Sequence, residues 1–146
     1  MTNLINRRIT LAALEVVAPM GRDFKLIEEP VAEVGPNQVL LHTIYLSLDP
    51  YMRGRMNAVD SYAPYVEIGE TMVGGAVSTV VASNHSDYNP GDLVCGYTGW
   101  QKYALTDGSN LRVIDSTAVP ISTALGVLGM PGLTAYVGLL DIGQPV

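Results

Sequence analysis

Apolar residues fall into short runs separated by glycine, proline and asparagine. The spacing within each run predicts its element. Arg8 to Val17 reads as an apolar strand closed by Pro19 and Gly21, and Phe24 to Glu28 alternates as a short edge strand. Gly35-Pro36-Asn37 is a turn signal that launches Gln38 to Leu48. That run is branched, aromatic and apolar on both faces, as in a central strand. Glu70 to Ser83 is a further strand pattern. Its Gly74-Gly75 pair marks a bulge, a bend or the close approach of another backbone. Asn89-Pro90-Gly91-Asp92 turns the chain into Leu93 to Gly96, and Trp100 to Leu105 and Leu111 to Ile114 follow. Short strands punctuated by turns favour a closed or nearly closed β-barrel.

Beyond Pro120 the period changes. Ser122 to Leu128 is small and apolar at helical density, and Pro131 suits the first position of a second helix. Leu133, Tyr136, Val137, Leu139 and Leu140 recur along that helix, with Gly143 expected to cap it and Pro145 to stop it. Gly126, Gly129 and Gly132 do not follow a strand and lack dinucleotide-loop spacing. They read as close helix packing.

The pattern breaks most sharply where Val39–Leu48 meets Asp49-Pro50. Proline is poorly tolerated in a paired strand but fits a first helical turn, which Asp49 is placed to cap. The turn would present Tyr51 and Met52 at the strand's mouth. There they would either wall an apolar ligand pocket or plug the barrel end. The polar stretch 57–68 reads as a surface loop, yet it carries Tyr62 and Tyr65.

Composition narrows the classes. Across 146 residues, 48% are hydrophobic and 15% charged, which excludes disorder. A net charge of −6 argues against nucleic acid and anionic membrane surfaces as partners, and no apolar run is long enough to span a bilayer. No signal peptide is read, and the single Cys95 fits a reducing, cytoplasmic compartment. One cysteine with His42 and His85 offers no zinc ligand set. His42 reads as a half-buried strand imidazole and Cys95 as a buried, inert thiol. Ser83, Ser86 and Ser122 lie in no nucleophile elbow.

Three motifs carry a family resemblance. They are Leu46-Ser47-Leu48-Asp49-Pro50-Tyr51-Met52-Arg53-Gly54-Arg55-Met56; Gly69 to Gly75 with Pro90-Gly91-Asp92-Leu93-Val94 and Gly99-Trp100-Gln101-Lys102-Tyr103; and Leu128-Gly129-Met130-Pro131-Gly132-Leu133-Thr134-Ala135-Tyr136. Together they resemble the N-terminal part of the zinc-free medium-chain dehydrogenases/reductases, in the branch of prostaglandin, 2-alkenal and curcumin reductases. Ala76 and Ser78 depart from glycines common in that branch. Neither Ser47-Leu48-Asp49 nor Gly69-Glu70 supplies the ligands of zinc-dependent relatives, so no metal is expected.

The resemblance implies a mainly β fold. A GroES-like, partly open β-barrel would occupy residues 1–120, and residues 121–146 would be helices leading into a Rossmann domain missing from this chain. The implied parent activity is NADPH-dependent reduction of the C=C bond of an α,β-unsaturated ketone or aldehyde. Hydride would go to the β-carbon, and the enolate oxygen would need a donor. Tyr51, Met52 and Tyr62 are the substrate-binding candidates, and Met130 and Thr134 the cofactor-binding ones. No catalytic residue is assigned. The Thr134 hydroxyl has the alternative of bonding back to its own helix. Arg53 and Arg55 are expected to pair with acidic neighbours. A piece of the longer reductase would be inactive and bind no NADPH on its own, and its helices would self-associate through residues 121–142 as a homodimer or larger assembly. The rival expectation is a free-standing, non-enzymatic GroES-like assembly or binding module.

Overall fold

The computed structural model describes residues 4–14, 18–59 and 61–145. Its organising element is the expected central strand, β3 (Val39–Leu46), hydrogen-bonded on both sides. Its antiparallel partners are β4 (Ala76–Ser83) and β6 (Tyr103–Thr106). β5 (Leu93–Gly96) and β7 (Arg112–Val113) complete a five-stranded sheet of order β6-β3-β4-β5-β7. The first half of β3 is buried on both faces, with Val39, Leu40 and Leu41 in the interior, whereas Ile44, Tyr45 and Leu46 emerge into solvent. β3 thus runs from core to rim and delivers the chain to the site.

β1 (Ile5–Leu11) and β2 (Phe24–Pro30) form a separate antiparallel ribbon, in register from Ile5 opposite Pro30 to Leu11 opposite Phe24. Individual bonds tie β1 to the large sheet. Ile9 N–H donates to Trp100 O (2.9 Å), Met72 N–H to Ile9 O (2.9 Å) and Lys102 N–H to Arg7 O (2.9 Å). The barrel is therefore partly open, not the closed or nearly closed one that the strand count favours. Where a ladder would close it, the chain is irregular at Thr71–Gly75 and Tyr97–Gly99. Gly99 stands at φ +77°, and a Cβ there would sit 2.7 Å from Met72 O.

Several boundaries differ from the sequence reading. The first strand occupies Ile5–Leu11 and not Arg8–Val17, part of which (15–17) lies outside the described residues. Buried Asn6 explains the shift. Its amide donates to Gln101 Oε1 (2.9 Å) and its carbonyl accepts from Tyr103 N–H (2.9 Å), so a polar residue does structural work inside the sheet. β4 begins at Ala76 and not at Glu70, because Gly74 lies against Trp100, Leu46 and Met52, each within 3.0–3.1 Å of where its Cβ would be. Gly74 thus makes room for three side chains, where the sequence offered a bulge, a bend or the close approach of another backbone. The strand read as Trp100 to Leu105 starts only at Tyr103, since Trp100 and Gln101 turn to meet β1.

Two clusters form the core. One joins Val39, Leu41, Val80, Val94 and Ala104 under Tyr88 and Leu111. The other joins Leu11, Met56, Val66 and Met72 beneath Ile9, Phe24, Val73 and Trp100. The second lies under the strand mouth and anchors it.

The C-terminal region is helical as expected, in three short pieces. A 3₁₀ turn spans Ile121–Leu125, α2 spans Met130–Tyr136 with Pro131 in its first turn, and a π-helical stretch spans Val137–Gly143. Gly143 lies inside the last piece and does not cap it. Gln144, at φ +42°, reverses the chain, and its N–H donates to Leu139 O (2.9 Å). Gly129 and Gly132 act as close packers: a Cβ on either would collide with the carbonyl oxygen of Ala124 or Val127.

Candidate active-site cleft

The site begins where β3 leaves the sheet. Ser47 N–H donates to Gly75 O (2.9 Å), and Asp49-Pro50 then starts α1 (Tyr51–Gly54). The expected Asp49 side-chain cap does not form. Pro50 occupies the cap position without a side-chain bond, and Asp49 contributes its backbone carbonyl to Met52 N–H (3.1 Å). The turn continues past α1: Arg55 N–H donates to Tyr51 O (3.3 Å), and Val66 N–H to Arg55 O (2.7 Å) fastens the following loop.

This turn separates the two residues proposed for the pocket wall. Met52 is 4% exposed and packs under Gly74, so its presentation at the mouth is corrected to a core plug. Tyr51 points the other way, into two adjoining cavities. The first, about 290 Å³, is lined by Pro50, Tyr51, Arg55, Tyr62, Tyr97 and Met130. The second, about 350 Å³, lies between Tyr51, Arg55, Val73, Tyr97 and Thr98. Sequence-nominated Tyr51, Tyr62 and Met130 therefore converge, although Tyr62 itself is 86% exposed at the rim.

A larger cavity of about 480 Å³ opens between the barrel and the helices. Ser47, Asp49, Cys95, Tyr97 and Arg112 line it from the barrel, and Leu125, Met130 and Leu133 from the helices. Gly75, Gly96 and Gly129 leave its walls bare of side chains. At Gly96 a Cβ would meet Leu111 Cδ2 at 2.6 Å. Tyr97 borders all three cavities, which lie side by side around it. Its position was not read from the sequence; the signal was its place before Gly99, whose left-handed conformation turns the chain toward Trp100.

Electrostatics bear on two groups. Burial, the neighbouring Tyr97 and Asp49 together push the Tyr51 phenol above its ordinary range, with Arg55 pulling the other way, so it is a neutral donor near pH 7. Burial also raises the Cys95 thiol, partly offset by Arg112, which disfavours the thiolate. Cys95 is half-buried against the large cavity, a less enclosed place than the sequence suggests. Thr134 takes the alternative bond, its hydroxyl donating to Met130 O (2.8 Å), and it is exposed. His42 stacks on Tyr103, centroids 4.9 Å apart, consistent with a structural imidazole. Arg53 donates to Asn57 Oδ1 (2.7 Å). Arg55, against expectation, pairs with no carboxylate among the described residues. α1 turns it inward along with Tyr51, one helical turn away. Among the described residues no three His, Cys, Asp or Glu side chains converge as a metal site, and no helix is long and apolar enough to cross a membrane.

An open β-barrel whose rim meets a C-terminal helical region across a cleft defines the N-terminal, GroES-like half of a medium-chain dehydrogenase/reductase. Residues 7–114 match the family model for the N-terminal domain of oxidoreductase, and the chain belongs to that family. It is 57% identical over 140 residues to the NADPH-dependent curcumin reductase of Escherichia coli K12, covering 96% of this chain and 41% of that protein. It is 41% identical over 113 residues to the NADP⁺-dependent 2-alkenal reductase of Nicotiana tabacum, covering 76% of this chain and 33% of that protein. Among solved structures, CurA from Vibrio vulnificus in complex with NADPH superposes with a TM-score of 0.88 at 50% identity, covering 95% of this chain and 41% of the other. The chain thus spans about two-fifths of the length of its curated relatives or less.

Proposed function

We propose that the chain is the substrate-side domain of an NADPH-dependent reductase that saturates the C=C bond of α,β-unsaturated ketones or aldehydes. The observation that carries the reading is the convergence of Tyr51, Tyr62 and Met130 on one cavity, in a chain 57% identical to a curcumin reductase. In this reading residues 1–120 form the barrel and substrate domain, and residues 121–146 begin the cofactor-binding domain.

The residues fit the reactive end of the cofactor. The large cavity combines bare glycine backbone with Leu125, Met130 and Leu133, surfaces suited to a flat ring and to the exclusion of water. NADPH, when bound, supplies a hydride to the β-carbon of the substrate. The chain's own part is to hold and orient. Tyr51 and Tyr62 offer aromatic surface to a conjugated system in the cavity they both line, and Met130 adapts to its outline. The Thr134 hydroxyl, its proton given to Met130 O, remains able to accept from an N–H donor such as a carboxamide. Nothing in the described residues resembles a phosphate cradle, so the isolated chain is expected to bind NADPH poorly. The working domain is zinc-free and cytoplasmic in this reading, and residues 121–142 mediate self-association of the isolated chain.

Titration of the ¹⁵N-labelled chain with benzylideneacetone, a small neutral enone, is expected to move the amide resonances of Tyr51, Tyr62 and Met130 together. Shifts confined to the β1–β2 ribbon, or none at millimolar enone, would contradict the reading.

A further inference from the structure

One hydroxyl on the wall of the large cavity is both unpartnered and open. Among the described residues the Ser47 side chain makes no hydrogen bond, and Ser47 Oγ is not one of the seven partnerless polar atoms that are sealed from solvent. The strand end explains its direction. Leu46 lies against Gly74, so Ser47 takes the opposite face and lines the cavity of about 480 Å³. Its backbone is fixed, because Ser47 N–H donates to Gly75 O (2.9 Å). Gly75 has no side chain with which to cover the hydroxyl.

The other donors around this cavity are committed or remote. Cys95 Sγ faces Ala124 O (3.9 Å), and a thiol is a weak donor. The Asn110 amide donates to Ser109 Oγ (3.2 Å). Asn110 and Arg112 also belong to the β7 side, with β4 and β5 standing between β7 and β3. At about 4.8 Å per strand that puts them roughly 14 Å from Ser47. The Tyr51 hydroxyl is buried away from the cavities that its ring lines. The Thr134 proton is given to Met130 O (2.8 Å). The Tyr97 phenol, 71% exposed at the rim, is the remaining competitor.

Ser47 also sits close to the aromatic wall, since β3 passes from it through Asp49-Pro50 directly into Tyr51. Met130 lines both the large cavity and the one shared by Tyr51 and Tyr62. A substrate with its ring against those tyrosines would extend its carbonyl past Met130 toward Ser47. The two formal charges on the large cavity, Asp49 and Arg112, are opposite in sign, so they set up no net charge against an anion.

We propose that Ser47 donates a hydrogen bond to the carbonyl oxygen of the enone and stabilises the negative charge that gathers there, which makes it a catalytic residue of the barrel. The inference rests on the enone-reductase reading. As the β-carbon gains hydride from a nicotinamide, the C=C electron pair shifts to join the α-carbon to the carbonyl carbon, and the C=O π pair moves onto oxygen. Ser47 keeps its own proton throughout. A proton from water then reaches the α-carbon, the carbonyl re-forms, and the product is the saturated ketone. A fixed donor among Leu125, Met130 and Leu133 meets the developing charge with little competition from bulk water.

The test uses the intact chain and two matched probes. One is benzylideneacetone carrying ¹³C at the carbonyl; the other is 3-methyl-1-phenylbuta-1,3-diene, in which a CH₂ replaces that oxygen. Binding is expected to move the labelled carbonyl resonance to higher frequency, the signature of a hydrogen bond to its oxygen. Ser47→Ala should abolish that shift and weaken ketone binding about three- to tenfold, while diene binding stays within about twofold of the unaltered chain. Ser47→Thr, which keeps the hydroxyl, should retain the shift. Should Ser47→Ala fail to fold, Ser47→Cys decides, because a thiol of similar size is a weak donor. A full carbonyl shift in either Ser47→Ala or Ser47→Cys overturns the inference. So does an equal loss of ketone and diene binding in Ser47→Ala, which would mark a packing role, or a shift that disappears only in Tyr97→Phe. If the ketone moves the amides of Tyr51, Tyr62 and Met130 but its carbonyl resonance does not change, only the Ser47 assignment falls. If neither probe moves those amides, the substrate cleft falls as well.

Discussion

Leu41→Ala is expected to destabilise the chain by about 2–5 kcal/mol, the usual cost of emptying a buried leucine site. Leu41 has no exposed surface and packs with Val39, Val80, Val94 and Ala104. It sits in β3, opposite Val80 on one side and Ala104 on the other, so both flanking strands would line the void. None of the three valine neighbours can swing far into the gap, because valine is stiff at χ1. A domain of this size has only about 5–15 kcal/mol to lose, so the variant should unfold at a much lower urea midpoint. Leu48→Ala is the control: Leu48 is 70% exposed, and its loss should be worth less than about 0.5 kcal/mol. Similar midpoints for the two variants would contradict the placement of the core.

The second large effect is on mass. Residues 121–142 were expected to carry more apolar side chains than one small barrel can cover, and their burial agrees. Leu125 turns in toward Gly75, whereas Leu128, Leu133, Tyr136, Leu139, Leu140 and Ile142 all remain exposed. Burying each large apolar side chain is worth roughly 1.5–3 kcal/mol, and a contiguous patch of them exceeds what monomers ordinarily display. At ~100 µM the chain is expected to scatter light as a dimer or larger species through this face. Introducing Leu133→Asp together with Leu140→Asp should return it to monomer mass without unfolding the barrel. A monomeric mass for the unaltered chain, with amides of 130–142 still protected from exchange, would refute the association.

The two predicted effects concern different parts of the molecule, and the sequence revealed those parts unequally. β3 was legible because an apolar run with branched residues on both faces has few other places to go. The turn at Asp49-Pro50 was legible because proline cannot continue a paired strand. The start of β1 was not, because the buried position of Asn6 depends on Gln101 and Tyr103 across the fold, and no local pattern encodes that. The same limit applies at the site. Tyr51 could be nominated from the abrupt end of β3, but residues in a four-residue helix point in all directions, and the sequence could not tell that Met52 faces the core. Arg55 was expected to pair with an acidic neighbour. Its inward direction follows from the helical turn that pairs it with Tyr51. Tyr97 and Thr98 entered the site only through the backbone reversal at Gly99, which brings a distant segment against α1.

In the proposed reading this chain supplies the substrate side of an enone reductase. The most direct test of that reading is a chimera that joins the chain to the C-terminal part of the Escherichia coli curcumin reductase, beyond the segment the two share. With 57% identity across that segment, the helices of residues 121–142 should meet the donor domain as their counterparts do. The account predicts that the purified chimera consumes NADPH in the presence of curcumin and that the product has lost a C=C bond while keeping its carbonyl. A folded chimera that binds NADPH yet reduces neither curcumin nor a simple enal, or that reduces the carbonyl instead, would contradict it.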